Sequence, residues 1–368
     1  MGNGGQYSLR MQSFLWGSRR PPRRHGRWVT SFRGAAILLF VLLSAGCLGG
    51  FTPFRPEFVY PSIRPVEGAP SHPVSFTFPF EGTSVTLTVP ISGPVFYGAQ
   101  QAEKSAGMAR DEPDARWLPG YYQAFISDPA QDGFYRDALS EFRRVREELQ
   151  LDSDRYAELL AVAVQSMPYQ ADGAGGAPQF PVETFAERTG DCDDKSLLLA
   201  GLLSQEGYRV AILFFGEENH MAVGIAADDC GYRSTSYGFL ETTNRSLVGI
   251  PPDKIDGPLT VLSTDPLVIP IGNGTLTYGA CDETQGIHAA LARAREALAS
   301  LDPLMAARQA EMEGVRGNPA EYHRLEPGYR SMVDEHNRKA EIINYVQQHL
   351  HDRTGTYRWL KSRGLVPG

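Results

Sequence analysis

The first 46 residues contain no acidic side chain, cysteine occurs only four times in 368 residues, and the longest unbroken apolar run covers nine positions, Ala35 to Leu43. A run that short falls below the about 20 apolar residues a helix needs to cross about 30 Å of hydrocarbon. Excess basic charge is also missing: 35 Lys and Arg against 43 Asp and Glu leave −8, which makes nucleic acid an unsuitable partner. No internal repeat is visible. With 42% apolar residues the chain can build a core, which excludes a disordered tail or a collagen-like fibre, and its length suits about two domains.

The missing acids divide the chain. Arg10, Arg19, Arg20, Arg23, Arg24, Arg27 and Arg33 all precede the apolar run, so the other 28 basic and 43 acidic residues leave the remainder at −15. A basic stretch, a short apolar run and then Ser44-Ala45-Gly46-Cys47 have the layout of an export signal. The last four residues resemble a lipoprotein signal in which Cys47 becomes the lipidated first residue, although Ser44 stands where that pattern prefers Leu. An uncleaved signal anchor is the alternative. Either way the arginines stay inside and the remainder faces the cell exterior, attached to the membrane through the N-terminus.

Five regions follow: 1–50 as signal or anchor, 51–73 as a linker with six prolines, 74–150 as β then α, 151–265 as the chemistry-bearing domain, and 266–368 as mainly helical. Val74, Phe76, Phe78 and Phe80 alternate, Glu81-Gly82-Thr83-Ser84 supplies a turn, and Val85, Leu87, Val89 and Ile91 alternate again, predicting a hairpin with one apolar face. Phe142, Val145 and Leu149 then take helical spacing, and Asp152 or Ser153 can cap a helix whose buried face spans Leu159 to Val164. A glycine-rich link at 172–176 precedes the segments that carry chemistry.

Gly190 permits a tight turn, and Leu199, Leu202 and Leu203 predict a helix that starts near Cys192 and ends before Gly207. Unpaired N–H groups and the helix dipole there favour a thiolate, while Asp191, Asp193 and Asp194 oppose it, so a neighbouring imidazole is required. Residues 209–215 read as a buried strand and 221–225 as another with His220 at its mouth. A turn centred between Cys230 and Gly231 sets Glu241 directly across from His220, roughly 5 Å apart at Cβ. Asp228 shares that face but lies about 26 Å along the strand.

Pro181-Val182-Glu183-Thr184, Gly190-Asp191-Cys192-Asp193-Asp194-Lys195-Ser196, His220-Met221-Ala222-Val223-Gly224 and Leu240-Glu241-Thr242-Thr243 together resemble the transglutaminase-like cysteine enzyme superfamily, in its membrane-associated prokaryotic and archaeal branch. The resemblance covers about residues 155–255. It implies an α+β fold with a papain-like core, the Cys-bearing helix packed on an antiparallel sheet, with the hairpin before it and helices after. It further implies Cys192 as nucleophile, His220 as base and Glu241 as orienter, where many members carry Asp. The Cys192 N–H and, by analogy, the Gln165 amide become candidate oxyanion donors. A peptide, protein or other amide would be the substrate, cleaved through a thioester. Members also include true acyl-transferring transglutaminases, and a peptide- or envelope-binding module of the same fold that does not turn over is the other alternative.

No cofactor is required. Asp191, Asp193 and Asp194 read as helix N-terminal charge, with a calcium site of the kind some periplasmic relatives have as the alternative. Cys230 and Cys281 are either a disulfide, as an oxidising exterior allows, or two buried thiols. His288, His323, His336, His349 and His351 read as solvated or packing residues. Tyr322, Tyr329, Met332, Val333, Ile342, Ile343 and Val346 line C-terminal amphipathic helices that pack on the core or bind a partner.

Overall fold

A computed structural model describes residues 58–106, 113–171, 176–252 and 262–367. The arginine-rich first 46 residues, Cys47, residues 51–57 and most of the glycine-rich link lie outside the described residues. Among those described, no helix is long and apolar enough to cross a membrane.

The second half of the proline-rich segment packs along the body. Ile63 is buried and its N–H donates to the Asp128 carboxylate at 2.8 Å, while the Val66 N–H bonds the Pro94 carbonyl. Strands β1 (His72–Phe80) and β2 (Thr83–Ile91) form the expected hairpin. Its turn is shorter than the sequence suggested: only Glu81 and Gly82 are unpaired, both at positive φ (44° and 74°), as a two-residue turn matching strand twist requires. Val74, Phe76, Phe78, Val85, Leu87 and Val89 face the core, while Ser75 with Thr88 and Thr77 with Thr86 bond across the exposed face.

Helices α1 (Gly93–Gln100), α2 (Asp114–Ile126) and α3 (Asp132–Glu148) follow, and α3 lays Phe142 and Val145 onto the hairpin. Asp152 caps α4 (Ser153–Gln165) through the Arg155 N–H at 2.9 Å. After α5 (Pro181–Glu187) comes α6 (Cys192–Gln205), fully buried from Asp194 to Leu203. Buried on every side over those ten residues, α6 is a core helix, packed against α2, α4 and α5 and against the main sheet.

That sheet is antiparallel, in the order β5 (Tyr237–Leu240), β4 (His220–Ala226), β3 (Val210–Phe215), β6 (Leu267–Ile271). The fold is thus mixed helix and sheet. Strand β6 comes from the region read as mainly helical; its short Leu267-Val268-Ile269-Pro270-Ile271 run pairs with β3, and Pro270 is tolerated because β6 is an edge. Two long helices, α7 (Cys281–Gly314) and α8 (Pro319–Gln348), form a hairpin, and α9 (Arg353–Ser362) closes its base. Ile287, Leu291, Ala294, Ile342, Val346 and Leu360 make a second core there, so Ile342 and Val346 are packing residues, whereas Tyr322, Tyr329, Met332 and Val333 are only half-buried along the hairpin.

Candidate active site

Cys192 is the first residue of α6, half-buried and outside any disulfide. The turn before it must be glycine: a Cβ on Gly190 would stand 2.7 Å from the Cβ of Asp194. The Gln170 N–H bonds the Gly190 carbonyl at 3.1 Å, and Thr189 Oγ1 donates to the Pro168 carbonyl, so the segment after α4 is stitched to the entry of α6. Asp191 caps the helix, accepting the N–H groups of Asp193 and Asp194.

The three acids form one network. Asp194, wholly buried, accepts the Gln179 N–H on Oδ1 and the Asp191 N–H on Oδ2. Burial, then the Asp191 carboxyl by hydrogen bond and charge, and then the charge of Asp194, raise Asp193 well above the ordinary carboxylate range. A proton held there lowers the negative field that would oppose a Cys192 thiolate. The three carboxyls lie within 4.8 Å of one another. Backbone N–H groups bond Asp191 Oδ1, Asp193 Oδ1 and both Asp194 oxygens, as suits a capped helix start.

Helix α6 runs alongside β4, and both begin at the same end of the sheet. One turn after Cys192, on the same helix face, Ser196 Oγ donates to the Met221 carbonyl at 3.2 Å and lies 3.1 Å from Thr242 Oγ1. Cys192 therefore opens its helix where β4 begins with His220.

His220 and Glu241 meet directly, Nε2 to Oε2 at 3.3 Å, with the two side chains 2% and 1% exposed. The strand register differs from the expected one. Val223 pairs with Leu240, which moves the turn centre one residue onward and the pairing by two, so Glu241 lies diagonal to His220 and just past the end of β5. The cause is a longer connection between β4 and β5, in which the Tyr232 N–H bonds the Tyr237 carbonyl and Gly231 bridges Gly238. A slip of two preserves the face; a slip of one would have parted the pair.

Glu241 is fixed at both oxygens. Oε1 accepts the Thr242 N–H (3.1 Å), the Thr243 N–H (2.8 Å) and the Thr243 hydroxyl (2.6 Å), and Oε2 faces the imidazole. Burial works to raise this carboxyl, but the His220 bond and charge and the Thr243 donors outweigh it and hold Glu241 below its ordinary value. An ionised Glu241 is acceptor-only, so the proton between them belongs to Nε2, and Nδ1 is the nitrogen through which the ring can exchange a proton with another group.

Gln165 does not serve as the oxyanion donor. Its Nε2 donates to the backbone carbonyls of Glu241 (2.8 Å) and Ser246 (3.1 Å), which spends both amide hydrogens. It ties α4 to the loop that carries the carboxylate. The Cys192 N–H stays a candidate donor by its place in the first turn.

Two further residues escaped the sequence reading. Lys195, quoted only as part of the motif, is wholly buried on α6; the signal for it was a lysine just before the apolar run Leu197 to Leu203. Tyr122, 70 positions upstream, packs its ring against Phe214 at 6.1 Å, and burial together with the charges of Asp193 and Cys192 raises its phenol. Nothing local in the sequence marks Tyr122. Cys230 and Cys281 are joined by a disulfide, tying the β4–β5 connection to the first residue of α7. Gly249, at φ 83°, leaves room for it: a Cβ there would stand 2.9 Å from the Cys230 sulfur.

No family model, no curated protein and no solved structure matches this chain.

Proposed function

We propose that the protein is a membrane-anchored, extracytoplasmic thiol enzyme of transglutaminase-like type, with a papain-like core, that hydrolyses peptide or other amide bonds. The observation that carries this reading is the buried His220–Glu241 pair, locked by Thr243, at the end of the sheet where α6 presents Cys192. A histidine whose Nε2 is held by an oriented carboxylate is a poised proton carrier, and a thiol at a helix N-terminus is its natural partner.

In the proposed reaction, His220 Nδ1 takes the Cys192 proton and the thiolate attacks the amide carbonyl. The first-turn N–H of Cys192 stabilises the oxyanion. Collapse breaks the C–N bond, the imidazolium gives its proton to the leaving amine, and water cleaves the thioester to the acid and regenerates the thiol. The anchor part of the proposal rests on residues 1–50, whose arginines and short apolar run resemble an export signal.

The test uses the full chain. Iodoacetamide labelling, read by peptide mapping, should modify Cys192 at least about tenfold faster in the natural protein than in His220→Ala. Equal rates would refute the catalytic reading and leave a binding module. With an amide substrate present, an added primary amine that is captured as a conjugate would replace hydrolysis by acyl transfer.

A further inference from the structure

His220 stands on the last rung between β3 and β4, paired with Phe215, and the four residues that join the strands, 216–219, deliver it there. Gly216, Glu217 and Asn219 are exposed, and Asn219 leads into His220 at a positive φ of 49°. A terminal rung beside an exposed turn frays unless something outside the ladder holds it. Among the described residues, Glu218 is the one turn residue whose side chain hydrogen-bonds to another segment.

Both oxygens of its carboxylate are used. Oε1 accepts the Ser263 N–H (2.8 Å), the Ser263 hydroxyl (3.0 Å) and the Thr264 N–H (2.8 Å), and Oε2 accepts the Thr264 hydroxyl (2.6 Å). Hydrogen bonds to an ionised acceptor are the strong ones. Burial works to raise this carboxyl, but the Thr264 and Ser263 donors outweigh it and hold Glu218 down at about 2.

The receiving segment is itself anchored. Arg233, in the β4–β5 connection, donates to the carbonyls of Leu262 and Ser263, both at 2.8 Å, and to the Asp265 carboxylate at 3.2 Å. Leu262 is buried in a small core with Phe215, Tyr232 and Phe239, and Leu267 opens β6 by pairing with Phe214. Residues 262–265 therefore hang from β3, β5 and the β4–β5 connection, and Glu218 ties the His220 turn to that fixed point. Glu241 holds the imidazole at Nε2 alone. A ring held at one atom keeps its place only if its backbone is held as well.

We propose that Glu218 is a positioning residue for the candidate site: bound to Ser263 and Thr264, it clasps the β3–β4 turn so that His220 keeps the place from which it meets Glu241. The proposal rests on the thiol-enzyme reading, which gives His220 its proton-carrying role. Glu218 touches no reacting atom and acts through the turn.

The experiment has two readouts on the full chain. The first is iodoacetamide labelling of Cys192 at one fixed pH, followed by peptide mapping. Glu218→Ala and Thr264→Val should each slow labelling by about three- to tenfold, while Thr264→Ser, which keeps the hydroxyl, and Glu217→Ala, beside the clasp, should label at the natural rate. The double variant Glu218→Ala with Thr264→Val should be no slower than Glu218→Ala, since one clasp is lost in both. A natural rate in Glu218→Ala, or losses that multiply in the double variant, would overturn the proposal.

The second readout is the Nε2–H resonance of His220 in protein carrying 15N-histidine, assigned by its loss in His220→Ala. In Glu218→Ala and Thr264→Val it should shift and exchange with water at least about tenfold faster. A merely structural glutamate would lower the urea midpoint and leave this resonance where it is in the folded protein, which would also overturn the proposal. If Glu218→Ala does not fold, Thr264→Val removes one donor of four and carries both readouts. If the natural protein shows no His220-dependent labelling of Cys192, the thiol-enzyme reading fails by itself, and the His220 resonance still decides whether Glu218 positions the imidazole.

Discussion

At the scale of the residue, Glu241 concentrates the most consequence. Three donors on Oε1 and an imidazole on Oε2 leave its carboxylate one orientation, so Glu241→Gln keeps the shape while removing the charge that fixes the histidine tautomer. Thiol reactivity and any amidase turnover should fall by about 10²- to 10⁴-fold, as measured by alkylation rate and kcat/KM. Because folding depresses this carboxyl below its ordinary 4.5, its contribution to stability is complete above pH 4.5 and is lost as pH falls through the lower folded value. Urea midpoints taken downward from pH 5 should therefore drop more steeply for the natural protein than for Glu241→Gln. Gln165 makes a second residue-scale case. Gln165→Leu strands the buried Glu241 carbonyl and the part-buried Ser246 carbonyl, and equilibrium unfolding should register a loss of about 1–3 kcal/mol. The meeting of His220 with Glu241 was legible because residue type and spacing carried it. Lys195 and the true duty of Gln165 were not, since which carbonyl or charge a buried polar group meets depends on segments far away in sequence.

At the scale of the element, the β4–β5 connection decides whether the pair forms at all. Its turn is pinned from outside the sheet by the Cys230–Cys281 disulfide, which closes a loop of 51 residues. In the chain-entropy account such a loop is worth about 4 kcal/mol, so Cys230→Ser with Cys281→Ser should lower the free energy of unfolding by about that amount under non-reducing conditions. The same double variant frees the connection, so His220-dependent labelling of Cys192 should slow while the far-ultraviolet circular dichroism is retained. The hydrophobic alternation of β1 and β2 and the leucine spacing of α6 predicted those elements, because their periods record a single buried face or a fully buried helix. The connection between β4 and β5 carried no such record. Its length is set by loop hydrogen bonds, and β5 is only four residues long, too short for alternation to fix a register.

At the scale of the whole molecule, a buried ionic cluster joins the core to the C-terminal helices. Glu158 of α4 accepts from Arg353 of α9 at 2.5 Å and from the Tyr278 hydroxyl at 2.6 Å, and Arg353 also binds Glu283 of α7. Burial outweighs the pull of Arg353 and Tyr278 and pushes Glu158 up to about 7. The sign is opposite to that of Glu241. The folded state binds a proton more tightly than the unfolded one, so this contribution is complete below pH 4.5 and is lost as pH rises toward 7. Glu158→Gln should flatten that slope in pH-dependent unfolding. Arg353→Ala removes the cation that lowers Glu158, so the carboxyl rises further and stays protonated at neutral pH; the lost ionic hydrogen bonds should cost about 1.5–3 kcal/mol and loosen α9 from the body in hydrogen exchange.

By itself the sequence determined the hairpin, the Cys-bearing helix, the presence of a Cys, His and acid in order, and the charge division between an arginine-rich first 46 residues and an acidic remainder at −15. Each is written in local composition or in a period of 2 or 3.6 residues. Only the tertiary structure decided the register that seats Glu241, the pairing of Cys230 with Cys281, the spending of Gln165 on backbone carbonyls, and the burial of Lys195 and Arg353. Those outcomes depend on long-range contacts and on loss of water from polar groups, and neither leaves a periodic trace in the chain.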